Sequence, residues 1–245
     1  MPVGAETTPQ HDTVFRASFE RFRDAARASA RSFETNWDDR LPCPADATSQ
    51  TPFDRHYIYH TAWAARILAR LCPAEHVDVA SSLYFASIAS AFVPVRHYDY
   101  RPPELSLPNL TCARADLKSL SFPDRSIASL SCMHVVEHVG LGRYGDPLDF
   151  DADLGAMNEL SRVVAAGGNL LFVVPVGRPR IQFNAHRVYG FDQIIESFAD
   201  LDLIEFSLVP DRAGPDGPAF IEHATKQQSD RQRYGCGCFW FRRAA

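Results

Sequence analysis

Three carboxylates, Asp78, Asp99 and Asp116, each close a short apolar run and follow one another at intervals of about twenty residues. An acid at the end of a second strand can accept hydrogen bonds from both hydroxyls of a ribose. A carboxylate at the end of a third strand can accept from an exocyclic adenine amine, while the next backbone N–H, that of Leu117, donates to a ring nitrogen. The ordinary alternative for all three is turn and cap chemistry. A second group gathers downstream. His134, Glu137 and His138 sit in HVVEHV, Arg143, Tyr144 and Asp146 in GLGRYGDPLD, and Asn184, His186 and Arg187 in NAHR. Histidine titrates near neutral pH, which suits His134, His138 or His186 to take a proton from a hydroxyl held at attack distance from an electrophile. Arg143 and Arg187 could grip a phosphate or carboxylate by paired hydrogen bonds, with Tyr144, Asp146 and Asn184 placing the acceptor. The pair His134 and His138 also spells the H-x-x-E-H pattern of inverted zinc peptidases. That chemistry needs both imidazoles on one helix face, and the apolar run directly before the motif opposes it.

These residues need elements to hold them. Residues 126–175 read as strand, loop, helix, Gly-Gly turn and strand, and the second strand is an almost unbroken apolar run ending at Pro175. Such a run belongs inside a parallel sheet covered on both faces. Short strands are predicted over 76–80, 93–98, 110–114, 127–133, 169–174, 203–209 and 236–242, with helices over 84–91, 154–164 and 191–198. Strands alternating with helices imply a parallel sheet with right-handed crossovers. Ligands then lie at the carboxyl ends of the strands, where the acids and histidines fall. Residues 1–12 read as a loose tail, 13–37 as one amphipathic helix and 41–52 as a linker rich in Pro, Ala, Ser and Thr. Residues 53–71 read as a helix leading into the main domain, with His56, Tyr57, Tyr59 and His60 as a cleft wall or a packed face. The expected organisation is thus a helical extension over 1–52 and an α/β domain over 53–245. The polar loop 211–232 is long enough to be functional or mobile.

The chain has 245 residues, 46% of them hydrophobic, and a formal net charge of −5 without an extended basic cluster. A core of useful size is expected, and broad nucleic-acid binding is not. No apolar run is long enough to cross a bilayer, and the first residues show no secretory pattern, so a cytoplasmic location is expected. The six cysteines show no zinc-ribbon or disulfide-module spacing. Cys236-Gly-Cys238 reads as a buried late strand, and no metal is expected.

With these residues in place, the segment 76–243 resembles the class I S-adenosylmethionine-dependent methyltransferases, most strongly in HVVEHV and NELSRVVAAGGNLLFVVP. More narrowly, FDRHYIYHTAWAAR, HVDVASS, EHVGLGRYGDPLD and FNAHRVYG resemble an uncharacterised methyltransferase-like family, domain of unknown function 268, associated with polysaccharide biosynthesis. The resemblance implies a Rossmann-like α/β fold with a seven-stranded, mostly parallel sheet and an antiparallel last strand. It implies S-adenosylmethionine as cofactor, bordered by Asp78, Ala80, Ser82, Asp99, Asp116, Leu117 and His134, and a small or sugar-containing acceptor methylated on a hydroxyl or similar group. One departure stands out: Ala80, Ser82 and Tyr84 occupy positions where the superfamily carries glycines. Each Cβ takes room from a bound cofactor, and a module that keeps the fold but has lost methylation is the alternative.

Overall fold

The computed structural model describes residues 9–212 and 218–245. The part of the expected tail over 1–8, and the centre of the long polar loop at 213–217, lie outside the described residues. The chain divides into two compact units, one ending at Phe53 and the other spanning Asp54–Ala245. The first holds α1 (Pro9–Arg27). It stops ten residues short of the predicted end, where Ser29 Oγ accepts from Arg31 N–H in a local turn that competes with the helical ladder.

The second unit runs α2 (Arg55–Leu71), β1 (His76–Val79), α3 (Leu83–Ala89), β2 (Val95–Asp99), β3 (Leu110–Arg114), β4 (Ile127–Met133), α4 (Ala152–Val163), β5 (Val164–Val176), β6 (Arg180–Gln182), β7 (His186–Val188), α5 (Phe191–Ser197), β8 (Asp202–Val209), α6 (Lys226–Asp230) and β9 (Gly235–Arg242). Seven strands form one sheet in the order β3-β2-β1-β4-β5-β9-β8. The pairs among the first five are parallel. β9 enters between β5 and β8, antiparallel to both. This is the Rossmann-like methyltransferase topology, with the last strand of the chain reversed. The hairpin of β6 and β7 and the short α6 were not expected from the sequence. β5 is longer than expected because Val164–Gly168 continues it through a register shift against β4.

Apolar residues cover both faces of the sheet, as a buried parallel sheet requires. One face packs Met157, Leu160, Phe198 and Phe241, and the other packs Trp63, Ile67, Phe85 and Val173. α2 begins at Asp54, whose side chain accepts from Tyr57 N–H. Trp63 Nε1 of this helix donates to the buried Glu205 carboxylate of β8 at 2.8 Å, fixing α2 to the sheet edge. Among the described residues no helix is long and apolar enough to cross a membrane.

Candidate active site

A cavity of about 370 Å³ opens over the carboxyl ends of β1 to β4. Ala80, Asp99, Asp116, Leu117, His134, His138, Tyr144 and Asp146 line it, from elements separated in the chain but brought together at the strand ends. Asp99 Oδ1 accepts from Arg101 N–H at 2.7 Å, and Asp116 Oδ1 accepts from Lys118 N–H at 2.9 Å. Each turn uses one carboxylate oxygen, and among the described residues the other accepts no hydrogen bond. Ala80 takes φ +55°, the left-handed conformation that a glycine there would adopt. The backbone turn is therefore kept although the glycine is not. Tyr84 is 83% exposed and points out of the cavity. Residues not anticipated from the sequence, among them Tyr100, Arg101, Lys118, Val135 and Pro147, also line it.

Asp78 and Ser82 do not line the cavity. The parallel register sets Asp78 beside His97 on β2 and Ser131 on β4. Its carboxylate accepts from His97 Nδ1 at 2.8 Å and from Ser131 Oγ. His76, two residues along the same strand face, bonds Ser129 and Ser131. The result is a buried polar network within the sheet. The apolar pattern of the flanking residues hid it, because a carboxylate at a strand end reads the same whether it faces a ligand or a neighbouring strand. Burial works against a charge on His97, but the Asp78 carboxylate outweighs it and raises the His97 pKa.

The loop after β4 is built around Asp146. Its carboxylate accepts from the N–H groups of Gly140, Gly142 and Tyr144. Burial opposes the charge, and these donors overcome it, so the pKa is lowered. Asp146, expected to place the acceptor or act in catalysis, is a poor proton acceptor at neutral pH and braces the loop. Arg187, expected to grip the substrate, is buried and donates to the carbonyls of Val139 and Phe150 at 2.6 and 2.9 Å, with Asp153 3.4 Å away. Its donors are spent inside the protein. Arg143 is exposed, donates to the Ala185 carbonyl and lies over the Tyr144 ring. Asn184 is exposed, and His186 meets Gln182 Oε1 at 3.0 Å; neither lines the cavity.

The histidines differ in what they can do. His138 Nδ1 is 2.6 Å from the Ala185 carbonyl, which can only accept, and 3.2 Å from Arg143 Nη1, which can only donate; the shorter contact favours the proton on Nδ1 and the lone pair on Nε2. Burial is the chief cause that lowers its pKa below 6.5, leaving the ring neutral at neutral pH. Nε2 lies 3.7 Å from Glu137 Oε1, where a captured proton would be stabilised. His134 is buried in a left-handed backbone conformation at φ +58°. Its Nδ1 meets Glu137 Oε1 at 2.8 Å, and its Nε2 has no hydrogen-bond partner. Burial pushes its pKa down, but Cys236 and Glu137 beside it carry it up to about 10. It is therefore no proton acceptor at neutral pH. The H-x-x-E-H pattern does not form a helix face: Val136–His138 is a single 3₁₀ turn, with Glu137 buried beneath it.

Residues 123–207 match the sequence family described as "Caenorhabditis protein of unknown function, DUF268", about a third of the chain. No curated protein matches the chain. Several hundred solved chains share its fold. The YcgJ protein of Bacillus subtilis is 14% identical with a TM-score of 0.52, over 77% of this chain and 99% of its own. The N-methyltransferase NodS of Bradyrhizobium japonicum, solved with S-adenosylhomocysteine, is 13% identical with a TM-score of 0.52, over 80% of this chain and 90% of its own. The 1,6-didemethyltoxoflavin-N1-methyltransferase of Burkholderia thailandensis, also solved with S-adenosylhomocysteine, is 12% identical with a TM-score of 0.52, over 100% of this chain and 94% of its own. At such identities the likeness establishes the fold: this is a methyltransferase-like α/β domain.

Proposed function

We propose that the domain binds S-adenosylmethionine in the cavity over β1 to β4 and transfers its methyl group to a hydroxyl or similar nucleophile of a small acceptor. The observation that carries this reading is the union of Asp99, Asp116 and Leu117 in one cavity beside a turn at Ala80 that keeps the left-handed backbone. A volume of about 370 Å³ falls within the range of small-molecule and cofactor sites. The residues fit the group: the free oxygen of Asp99 would accept from ribose hydroxyls, the Asp116 carboxylate from the adenine amine, and the small Ala80 leaves room along the turn. When bound, the cofactor supplies an electrophilic methyl carbon.

The rest falls to the protein. His138 holds a lone pair at Nε2 and takes the acceptor's proton there, with Glu137 offsetting the resulting charge. Asp146 keeps the 140–147 loop in shape, so Tyr144 and Pro147 wall the cavity and exclude water. A sugar-containing acceptor and a role in polysaccharide biosynthesis rest on the family resemblance alone.

Calorimetry with S-adenosylhomocysteine tests the reading. The wild type binds, and Asp99→Ala weakens binding by about 1.5–3 kcal/mol, roughly 10- to 150-fold. Equal affinity in the two proteins would place the nucleoside elsewhere.

A further inference from the structure

Beside the cavity, His56 of α2, His134 after β4 and Cys236 of β9 bring one donor atom each within 4.8 Å of one another. Three separate elements converge here, which is why nothing in the cysteine or histidine spacing announced it. We propose that His56, His134 and Cys236 bind a transition-metal ion of the Zn²⁺ class, leaving a coordination position open.

Two observations beyond proximity point to a ligand. The first is the state of His134. A ligating histidine characteristically donates its other ring N–H to a carboxylate, which fixes the tautomer and directs a lone pair at the metal. His134 Nδ1 is held by Glu137 Oε1 at 2.8 Å. Its Nε2 is fully buried and, among the described residues, meets no hydrogen-bond partner of good geometry; the group it faces is the Cys236 thiol, a poor partner for a buried polar atom. The second is His60, one turn along α2 from His56. Its Nδ1 meets the His56 carbonyl at 2.7 Å, and its Nε2 is likewise buried without a partner. The His60 and His134 ring centroids are 5.1 Å apart. His60 lies just outside the set of three donors and is the nearest candidate for a fourth.

Two imidazole nitrogens and a thiolate form a borderline-soft set that suits zinc. Around a tetrahedral ion such donors stand about 3.3–3.6 Å apart, so small side-chain rotations close the set. Binding releases two protons to solvent as the metal bonds form, the thiol proton of Cys236 and the proton that His134 carries on Nε2 at neutral pH. Three protein donors with an open position is the arrangement of catalytic rather than structural zinc. Since His134 also lines the cavity, an ion there stands next to it.

The test uses the whole chain, stripped with a chelator and titrated with Co²⁺ alone. The wild type should take up one equivalent and show a thiolate-to-cobalt charge-transfer band. Cys236→Ser should lose the band and Cys238→Ser should keep it. His56→Ala should weaken Co²⁺ binding about tenfold or more. If Cys236→Ser does not fold, His56→Gln keeps the thiol and reads the same loss through affinity. Failure of the wild type to bind Co²⁺, or equal binding by wild type, Cys236→Ser and His56→Ala, overturns the assignment. The readout involves neither S-adenosylmethionine nor its product, so this proposal and the methyltransferase reading fail separately.

Discussion

At the scale of single residues, three histidines of similar sequence context have unlike chemistry because of the groups around their rings. His138 is tied to a carbonyl and keeps a basic Nε2; His134 is tied to a carboxylate and has a raised pKa; His186 lies outside the cavity. His138 is thus the residue whose loss should matter most for proton removal. His138→Gln should lower transfer of labelled methyl groups into acceptors of a cell extract by about 10²–10⁴-fold, with S-adenosylhomocysteine affinity little changed. The wild-type rate should fall as pH drops through a pKa below 6.5, because protonation removes the base. Retained activity in His138→Gln would move the base elsewhere. Asp99, Asp116 and Leu117 could be placed at one cavity from the sequence, since strand ends converge by topology. The inward roles of Asp78 and Arg187 could not, because their partners come from distant backbone and neighbouring strands.

At the scale of elements, the turn after β1 carries alanine, serine and tyrosine where the methyltransferases it resembles carry glycines. A left-handed alanine costs about 1–2 kcal/mol relative to a glycine at the same φ, while a glycine adds about 0.5–1 kcal/mol of unfolded-chain freedom. Ala80→Gly should therefore stabilise the domain by up to about 1.5 kcal/mol in urea unfolding and leave S-adenosylhomocysteine binding intact. A loss of stability would show that the Ala80 methyl packs to more effect than its backbone is strained. Strands β3 and β4 coincide with their sequence-based ranges, because apolar runs bounded by turn residues define buried strands well. The β6–β7 hairpin and α6 escaped notice because they are short and carry no periodic apolar signal. The placement of α2 against β8 through Trp63 and Glu205 was equally hidden. It depends on a tertiary hydrogen bond that no local pattern encodes.

At the scale of the whole molecule, the sheet carries an acid-sensitive core. His76 is fully buried, and burial, only partly offset by Asp78, lowers its pKa from 6.5 to about 4. Above pH 6.5 its ring is neutral in both folded and unfolded chains. Between pH 6.5 and 4 the unfolded chain binds a proton that the folded chain refuses, so stability falls as pH falls. A shift of that size corresponds to roughly 3 kcal/mol. His97, with a raised pKa, is protonated in both states over most of this window and adds little to the slope. The unfolding temperature should therefore drop steadily from pH 6.5 to 4, with His56 and His60, whose pKa values burial also lowers, adding to the slope; His76→Gln should make the drop shallower, and an unchanged slope would mean that the His76 network opens without cost. The network joins β1, β2 and β4, and the residues that follow these strands, Ala80, Tyr100 and His134, line the cavity.

The central claim is that an adenosyl group lies across the ends of the first three strands. A crystal structure with S-adenosylhomocysteine tests it most directly. The account predicts the ribose hydroxyls on the Asp99 carboxylate and the adenine against Asp116 and Leu117, with the Ala80 backbone unchanged. A nucleoside bound away from Asp99, or a cavity that closes rather than admits it, would contradict the account and leave the fold without this function.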